Sequence, residues 1–238
     1  MKPMAICEEF TGFPRASAAF LDGIAKNNTK AWFDAHRADY ENHVLAPAKH
    51  FVATMADLLA TVSADMRAEP RIGGSIFRIN RDIRFSRDKT PYKTHLDLWF
   101  WHGDGGGRSR ERPGFFVRLS ASRLLLGAGM HAFEAPLLAA YRAEVAEPRK
   151  GKALRTLLDQ VTAKGYDLGG NHYKRVPRGV DPGHPHADLL CHNALYVGTE
   201  VAHPVSLSTP ALPAYCLVRF HDMAPVLEWL VRLICRTA

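Results

Sequence analysis

Apolar residues along the first quarter of the chain recur with the period of amphipathic helices. Ser17 is predicted to cap a first helix, which the Asn27-Asn28 pair ends, and Thr29 is predicted to cap the next one. Pro47 stands where the first turn of a further helix tolerates proline. This part of the chain is therefore predicted to form a helical layer.

The middle of the chain changes to short runs of β-branched and aromatic residues, one of which alternates with period two. The predicted strands are residues 75–79, 94–101, 114–119 and 124–130. Because these runs follow one another without helices between them, they favour an antiparallel sheet. The charged segment 103–112, with Gly105-Gly106-Gly107 at its tip, is predicted to be a flexible loop.

Helical periodicity returns in the last part of the chain. In chain order, the predictions are helices over 135–145 and 154–162, turns over 171–186, a short helix over 187–192, a strand over 195–201 and a helical tail over 212–234, interrupted near Pro225. The sequence contains no repeat or long linker. It therefore predicts a single α+β domain over residues 1–238, with a mostly antiparallel sheet of four to five strands covered by helices from the N- and C-terminal parts.

The charge balance favours anionic partners. The chain has 31 basic and 24 acidic residues and a formal net charge of +7. Its four cysteines, the first of them Cys7, form no C-x-x-C pair, which excludes zinc-ribbon and thioredoxin motifs. Without an apolar signal sequence or a membrane-spanning run, the protein is predicted to be cytoplasmic, with no membrane partner.

The strongest concentration of charge is residues 78–95, here called the basic loop. It contains six cationic residues and the carboxylates Asp82 and Asp88. Arginine presents a planar fork that binds phosphate or carboxylate through two bonds, and Pro91 limits the freedom of the loop. The residues predicted to bind a ligand here are Arg78, Arg81, Arg84, Lys89, Tyr92 and Lys93.

Two other interpretations of the basic loop remain open. Its arginines also fit an internal network in which Asp82, Asp88 or Asp97 neutralises them. A solvated charged edge that discourages aggregation of the sheet is the other.

A second basic cluster contains Lys174, Arg175 and Arg178. One hypothesis is that Arg175 and Arg178 fold toward the basic loop and complete an anion-binding cleft. The alternative is that Pro177, Gly179 and nearby residues only shape a turn with solvated arginines.

Other chemistry-bearing residues give weaker signals. His184, His186, Cys191 and His192 have side chains that suit zinc, but their spacing matches no standard site, so no metal site is predicted. His95 shares a strand face with Asp97, which makes it a candidate oriented base. Trp99 and Trp101 on the same face form either a ligand wall or a buried layer. Dinucleotide, P-loop, nucleophile-elbow and zinc-protease motifs are absent from the sequence, and the cofactor is unknown.

Several stretches together resemble the bacterial family of uncharacterised proteins known as domain of unknown function 2461. They are Phe10-Thr-Gly-Phe13, Asn27-Asn28-Thr-Lys-Ala-Trp32-Phe33, Gly74-Ser-Ile-Phe-Arg78, Arg81-Asp82-Ile-Arg84-Phe85-Ser86, Asp88-Lys89-Thr90-Pro91-Tyr92-Lys93, Arg175-Val-Pro177-Arg178-Gly179 and Asp181-Pro182. The resemblance implies that the basic loop and the Arg175–Gly179 turn belong to the shared pattern, but it implies no activity. The chain departs from the pattern at Ala31, usually acidic, and at Arg87, commonly lysine.

The sequence thus predicts a protein that recognises an anionic, phosphorylated small molecule. A nucleic-acid-binding module and a structural or interaction domain without catalytic activity are the alternatives. If the protein is an enzyme, Asp82, Asp88 and His95 are the candidate acid and base groups.

Overall fold

The computed structural model describes residues 9–104, 111–178 and 181–237. In chain order the elements are α1 (Arg15–Lys26), α2 (Lys30–Ala35), α3 (Arg37–Tyr40), a π-helical turn (Glu41–Leu45), α4 (Ala46–Ala60), β1 (Met66–Arg67), β2 (His95–His102), β3 (Gly114–Ser120), β4 (Arg123–Met130), α5 (Ala135–Ala146), α6 (Pro148–Thr162), β5 (Asp167–Asn171), α7 (Ala187–Leu190), β6 (His192–Ala202), a 3-10 helix (Val205–Ser208) and α8 (Leu212–Thr237). The predictions that concern Cys7, Gly105-Gly106-Gly107 and Gly179 lie outside the described residues.

The N-terminal helical layer is confirmed, with one correction to its capping. Thr29 caps α2, since its Oγ1 accepts a hydrogen bond from the Trp32 amide at 3.2 Å. Ser17 does not cap α1, because α1 begins two residues earlier, after Pro14. Ser17 is instead buried, and its hydroxyl donates to the His43 carbonyl oxygen at 2.5 Å.

The strands form an antiparallel sheet in the order β1-β2-β3-β4-β6-β5, so the α+β class is confirmed. The sheet has six strands, and the prediction of four to five was low. β1 has only two residues, and β5 contains Gly169 and Gly170, which look like a turn in sequence. Gly170 has a φ of 109°, and a Cβ there would lie 2.1 Å from the Ala194 carbonyl oxygen, so the close approach of β5 to β6 requires glycine at this position.

Residues 75–79 do not form the regular strand that their composition predicts. They contact β2 through an isolated bridge between Ile76 and Leu98 and through the Phe77 amide, which donates to the Asp97 carbonyl oxygen at 3.0 Å. Gly73, with φ of 85°, turns the chain just before this segment. The turn leaves too few residues in register for a ladder.

The predicted interruption at Pro225 is also wrong, because α8 continues through it. Ala224, Val226 and Leu227 are all buried around the proline. Packing on both sides of Pro225 offsets the backbone hydrogen bond that proline removes.

The chain divides into two compact units. Unit 1 contains residues 1–100, 116–125 and 200–218, and unit 2 contains residues 101–115, 126–199 and 219–238. In unit 1, Phe51 of α4 packs against Phe100 of β2, with ring centroids 6.4 Å apart. In unit 2, Phe220 of α8 stacks on Phe115 of β3 at 4.4 Å. Helices from both ends of the chain therefore pack on the sheet, as predicted. The assignment of residues 1–238 to one domain stays a prediction.

Gly129 in β4 tests the packing of the sheet. Its φ is 137°, and a Cβ there would lie 2.3 Å from the Leu195 carbonyl oxygen. Gly129→Ala is expected to lower the free energy of unfolding by about 2–4 kcal/mol, because backbone strain and overpacking add. Gly165 is the matched control, since its φ is 91° but no atom would contact its Cβ. Urea unfolding that gives equal losses for Gly129→Ala and Gly165→Ala would contradict this packing.

Candidate functional site

The basic loop is closed at its base by Arg81 and Asp88. Arg81 Nη1 lies 2.5 Å from Asp88 Oδ2 and also donates to the Thr90 hydroxyl. The Arg81 amide donates to the Pro91 carbonyl oxygen at 2.9 Å, and the Thr90 amide donates to Asp88 Oδ1 at 2.9 Å. These bonds join the two sides of the loop, so they fix its shape.

A second internal pair lies nearer the tip of the loop. Arg84 donates to Asp82 through Nε at 3.0 Å and through Nη2 at 2.7 Å, and its backbone amide donates to Asp82 Oδ1 at 3.2 Å. The hypothesis of an internal network is therefore right for Arg81 and Arg84. Ligand contact through these two arginines stays a prediction.

Both carboxylates of the loop are held in their ionised form. Hydrogen bonds from the Thr90 amide, the Arg81 guanidinium and the Thr90 hydroxyl lower the pKa of Asp88 to about 2. Hydrogen bonds from the side chain and backbone of Arg84 lower the pKa of Asp82 below its usual value. Such low pKa values suit structural anions better than groups that exchange protons near neutral pH. The catalytic roles of Asp82 and Asp88 stay predictions.

Asn28 connects the end of the basic loop to the helical layer. Its Nδ2 donates to the Tyr92 carbonyl oxygen at 2.9 Å, and its Oδ1 accepts from the Tyr92 amide at 3.0 Å. The Tyr92 ring is buried and stacks on Phe33 of α2, with ring centroids 4.4 Å apart. The ring therefore supports the base of the loop, and ligand contact through Tyr92 stays a prediction.

The remaining cations of the loop have no carboxylate partner among the described residues, apart from Lys93, which is treated below. Lys89 Nζ donates to the Ile83 carbonyl oxygen at 2.9 Å, which leaves its charge uncompensated. Arg78 and Arg87 are exposed, and among residues 9–104, 111–178 and 181–237 neither forms a hydrogen bond or an ion pair. Arg78 does contribute through its charge to the lowered pKa of Asp82. The loop thus combines a fixed shape with surplus positive charge.

A second arrangement in unit 1, here called the Asp97 cluster, contains Lys93, His95, Asp97 and Arg118. Asp97 is only 4% exposed and accepts from Arg118 Nε at 2.7 Å and from Lys93 Nζ at 3.0 Å. His95 Nε2 lies 3.2 Å from Asp97 Oδ2. The Lys93 ammonium also lies 4.7 Å from the centre of the Phe77 ring, a cation–π distance. Lys93 therefore belongs to both the basic loop and this cluster.

Asp97 is an ionised carboxylate that orients its neighbours. Burial alone would raise the pKa of Asp97. Hydrogen bonds from His95 and Arg118 and the positive charges around the carboxylate have the larger effect, so the pKa lies well below its usual value. One carboxylate is shared between Lys93 and Arg118, so the cluster also carries surplus positive charge. It has the parts of a small anion site with an oriented imidazole, and catalysis by His95 stays a prediction.

Sequence reasoning identified the pairing of His95 with Asp97 but missed Arg118. The available signal was one arginine in the otherwise apolar β3 run. The tryptophans on the same strand as His95 are buried, since Trp99 and Trp101 are each 4% exposed. The interpretation of these rings as a buried layer is therefore confirmed.

The second basic cluster lines a cavity within unit 2. The cavity has a volume of about 550 Å³ and is lined by Lys174, Arg175, Val176, Pro177, Arg178, Pro182, Ala187, Asp188 and Cys191. Asp188 is paired with Arg155 at 2.5 Å, so it does not neutralise the lysine and arginines of the lining. The basic loop belongs to unit 1, and the hypothesis that the two clusters complete one cleft stays a prediction.

The histidines near this cavity mainly make local contacts. His184 Nδ1 accepts from the His186 amide at 3.1 Å, and His184 Nε2 lies 3.3 Å from the Ala146 carbonyl oxygen. Burial lowers the pKa of His192, which favours its neutral form. In the described part of the chain, no three His, Cys, Asp or Glu side chains are grouped as metal ligands.

These features define an α+β protein with a braced basic loop and a buried, shared carboxylate. The chain belongs to the family described as "Conserved hypothetical protein (DUF2461)", which matches residues 16–229. A comparison with curated proteins finds no match. Within the described residues, no helix is long and apolar enough to cross a membrane.

Asn28 offers a test of how the basic loop is held. Asn28→Ala removes both bonds to the Tyr92 backbone and is expected to lower the free energy of unfolding by about 1–3 kcal/mol. The neighbouring Asn27→Ala is the control, since within the described residues the Asn27 side chain forms a single, exposed hydrogen bond, to the Gly23 carbonyl oxygen at 3.1 Å. Its expected loss is about 0.5 kcal/mol or less. Chemical denaturation that ranks the two variants equally would argue against this anchor.

The Asp97 cluster predicts a particular dependence of stability on pH. The pKa of Asp97 is lower in the folded protein than its ordinary value of 3.8, so its ionised form stabilises the fold above that pH. This contribution is lost as pH falls below about 4. Asp97→Asn is expected to cost about 3 kcal/mol at neutral pH and to weaken the pH dependence below about pH 4. Urea unfolding measured at several pH values checks this.

Asp22→Asn is the control for that experiment, because in the part of the chain that the structure describes Asp22 forms one ion pair, an exposed one with Lys26. Its expected effect on stability is at most about 0.5 kcal/mol. If Asp97→Asn kept the full acid sensitivity of the original protein, the ionised state assigned to Asp97 would be wrong.

Proposed function

We propose that the protein binds an anionic, phosphate-bearing ligand on the basic loop. The observation that supports this most strongly is that some cations of the loop are paired with carboxylates and others are not. Asp88 and Asp82 are occupied by Arg81 and Arg84. Arg78, Arg87 and Lys89 lack such a carboxylate among the described residues, so their charges are available to an incoming anion.

The internal pairs also lower the cost of binding. A loop that must become ordered around its ligand loses conformational entropy, and that loss weakens affinity. Here the Arg81–Asp88 pair joins the two sides of the loop, and the hydrogen bonds between Asn28 and the Tyr92 backbone tie the loop to the helical layer before any ligand binds. The exposed Arg87 guanidinium can then donate two parallel hydrogen bonds to a phosphate.

The Asp97 cluster extends the proposed site within unit 1. Lys93 lies at the end of the basic loop, and its ammonium is held by Asp97 with hydrogen-bonding capacity to spare. Arg118, also held by Asp97, is 39% exposed at its side chain. We assign both as secondary donors to the ligand. If a reaction follows binding, His95 is the group on this face suited to proton transfer.

The cavity in unit 2 is a second candidate for a compact phosphorylated molecule. Its lining places Lys174, Arg175 and Arg178 around a concave space, which is the usual form of a small-molecule site. We propose it as a separate binding site for the same class of ligand. Both proposals assume the cytoplasmic location that the sequence predicts.

Arg87 provides the direct test. Arg87→Ala is expected to weaken binding of inorganic tripolyphosphate by roughly tenfold, because a charge-assisted hydrogen bond is removed. Arg15→Ala is the matched control, since Arg15 is also exposed and also forms no hydrogen bond or ion pair with the described residues. Isothermal titration calorimetry at low salt measures both.

The same titration distinguishes the candidate sites. Loss of binding in Arg178→Ala but not in Arg87→Ala would support the cavity in unit 2 and contradict binding on the basic loop. Equal affinity in the original protein, Arg87→Ala and Arg178→Ala would overturn both proposals.

A further inference from the structure

Phe85 is the most exposed of the large apolar side chains that the structure describes. Its exposed fraction is 95%, whereas most phenylalanines of the described chain are buried. A solvent-exposed aromatic ring gains free energy when another molecule covers it, and such rings are common at binding surfaces. Phe85 stands next to Arg84 and two positions before Arg87. The ring is thus surrounded in sequence by cations.

The loop presents Phe85 on a braced backbone. The Ile83 carbonyl oxygen accepts from Lys89 Nζ at 2.9 Å and from the Ser86 amide at 3.4 Å, which ties the backbone before Phe85 to residues that follow it. The Arg84 guanidinium is held by Asp82 and lies 5.8 Å from the Phe85 ring centre. These contacts brace the turn that carries the ring, and the ring itself remains 95% exposed.

We propose that the basic loop binds single-stranded nucleic acid, with an unpaired base stacked on Phe85 and backbone phosphates bound by Arg87 and Arg78. This inference rests on the proposed function and names the ligand class of that site. Stacking on an aromatic side chain together with cationic contacts to the backbone is the general mode of single-strand recognition. It uses both features of the loop, the surplus charge and the exposed ring.

Other partners use only part of this surface. A simple phosphate compound contacts the arginines but leaves Phe85 in water. In a duplex the base faces are stacked on one another, so Phe85 has no free base to contact. A bilayer fits this surface poorly, because a single aromatic ring would insert and anionic lipids would repel the nearby carboxylates of Asp82 and Asp88.

The test measures binding of a fluorescein-labelled single strand of about 12 nucleotides by fluorescence anisotropy. Phe85→Ala is expected to weaken binding roughly 5- to 150-fold, the range that corresponds to removal of one stacked base. Phe85→Trp is expected to restore it. Val205→Ala is the control, because Val205 is 94% exposed in unit 1 but lies outside the loop. A duplex of equal length is expected to bind more weakly and to be insensitive to Phe85→Ala.

Salt dependence separates the ring from the arginines. Arg87→Ala is expected to make the slope of log affinity against log salt concentration shallower by about 0.7 for each phosphate that the variant no longer neutralises, whereas Phe85→Ala leaves that slope unchanged. Single-strand affinity that is equal in the original protein and Phe85→Ala would overturn the inference. Two other results would also overturn it, if the oligonucleotide does not bind. One is Phe85-dependent binding to vesicles of phosphatidylcholine and phosphatidylserine in equal parts, and the other is Phe85-dependent self-association.

Tripolyphosphate distinguishes failure of this inference from failure of the proposed function. If tripolyphosphate binding depends on Arg87 but oligonucleotide binding is indifferent to Phe85, the loop is an anion site that does not contact bases. If neither probe binds in an Arg87-dependent manner, the proposed function fails as well.

Discussion

The ion pair between Arg81 and Asp88 is the interaction on which the proposed site depends. It joins the two sides of the basic loop, and the Thr90 amide and hydroxyl complete the coordination of the carboxylate. Exposed ion pairs contribute little to global stability. The role of this one is local, since it neutralises Arg81 as Asp82 neutralises Arg84, and the other exposed cations of the loop have no carboxylate partner among the described residues. The proposed anion site rests on that division of charge.

The Asp97 cluster applies the same principle inside the protein. There the carboxylate is buried, so its environment must supply hydrogen bonds and positive charge to keep it ionised. Removing one partner from such a group is costly, and this cost holds Lys93, His95 and Arg118 in place. Two networks of hydrogen bonds and ion pairs thus hold cationic side chains in place in unit 1. One is exposed, in the basic loop, and the other is the buried Asp97 cluster.

The sequence was sufficient where local chemistry decides the structure. Thr29 as a helix cap and the β3–β4 hairpin follow from residues close together in the chain. It was insufficient where distant segments decide. Arg118 reaches Asp97 across neighbouring strands, and Gly169 belongs to a strand because β5 pairs with β6, a later part of the chain. The sequence of the basic loop, residues 78–95, reveals the surplus of charge, but it does not specify which arginine pairs with which carboxylate.

The central claim is that Arg78 and Arg87 carry guanidinium groups that no described residue of the ordered loop neutralises. Nuclear magnetic resonance of the arginine Nε–Hε groups, recorded during addition of tripolyphosphate, observes each guanidinium separately. The account predicts that the Arg87 and Arg78 signals shift with saturation while the Arg15 signal stays in place. Shifts of equal size at Arg15, or none at Arg87 and Arg78, would contradict it.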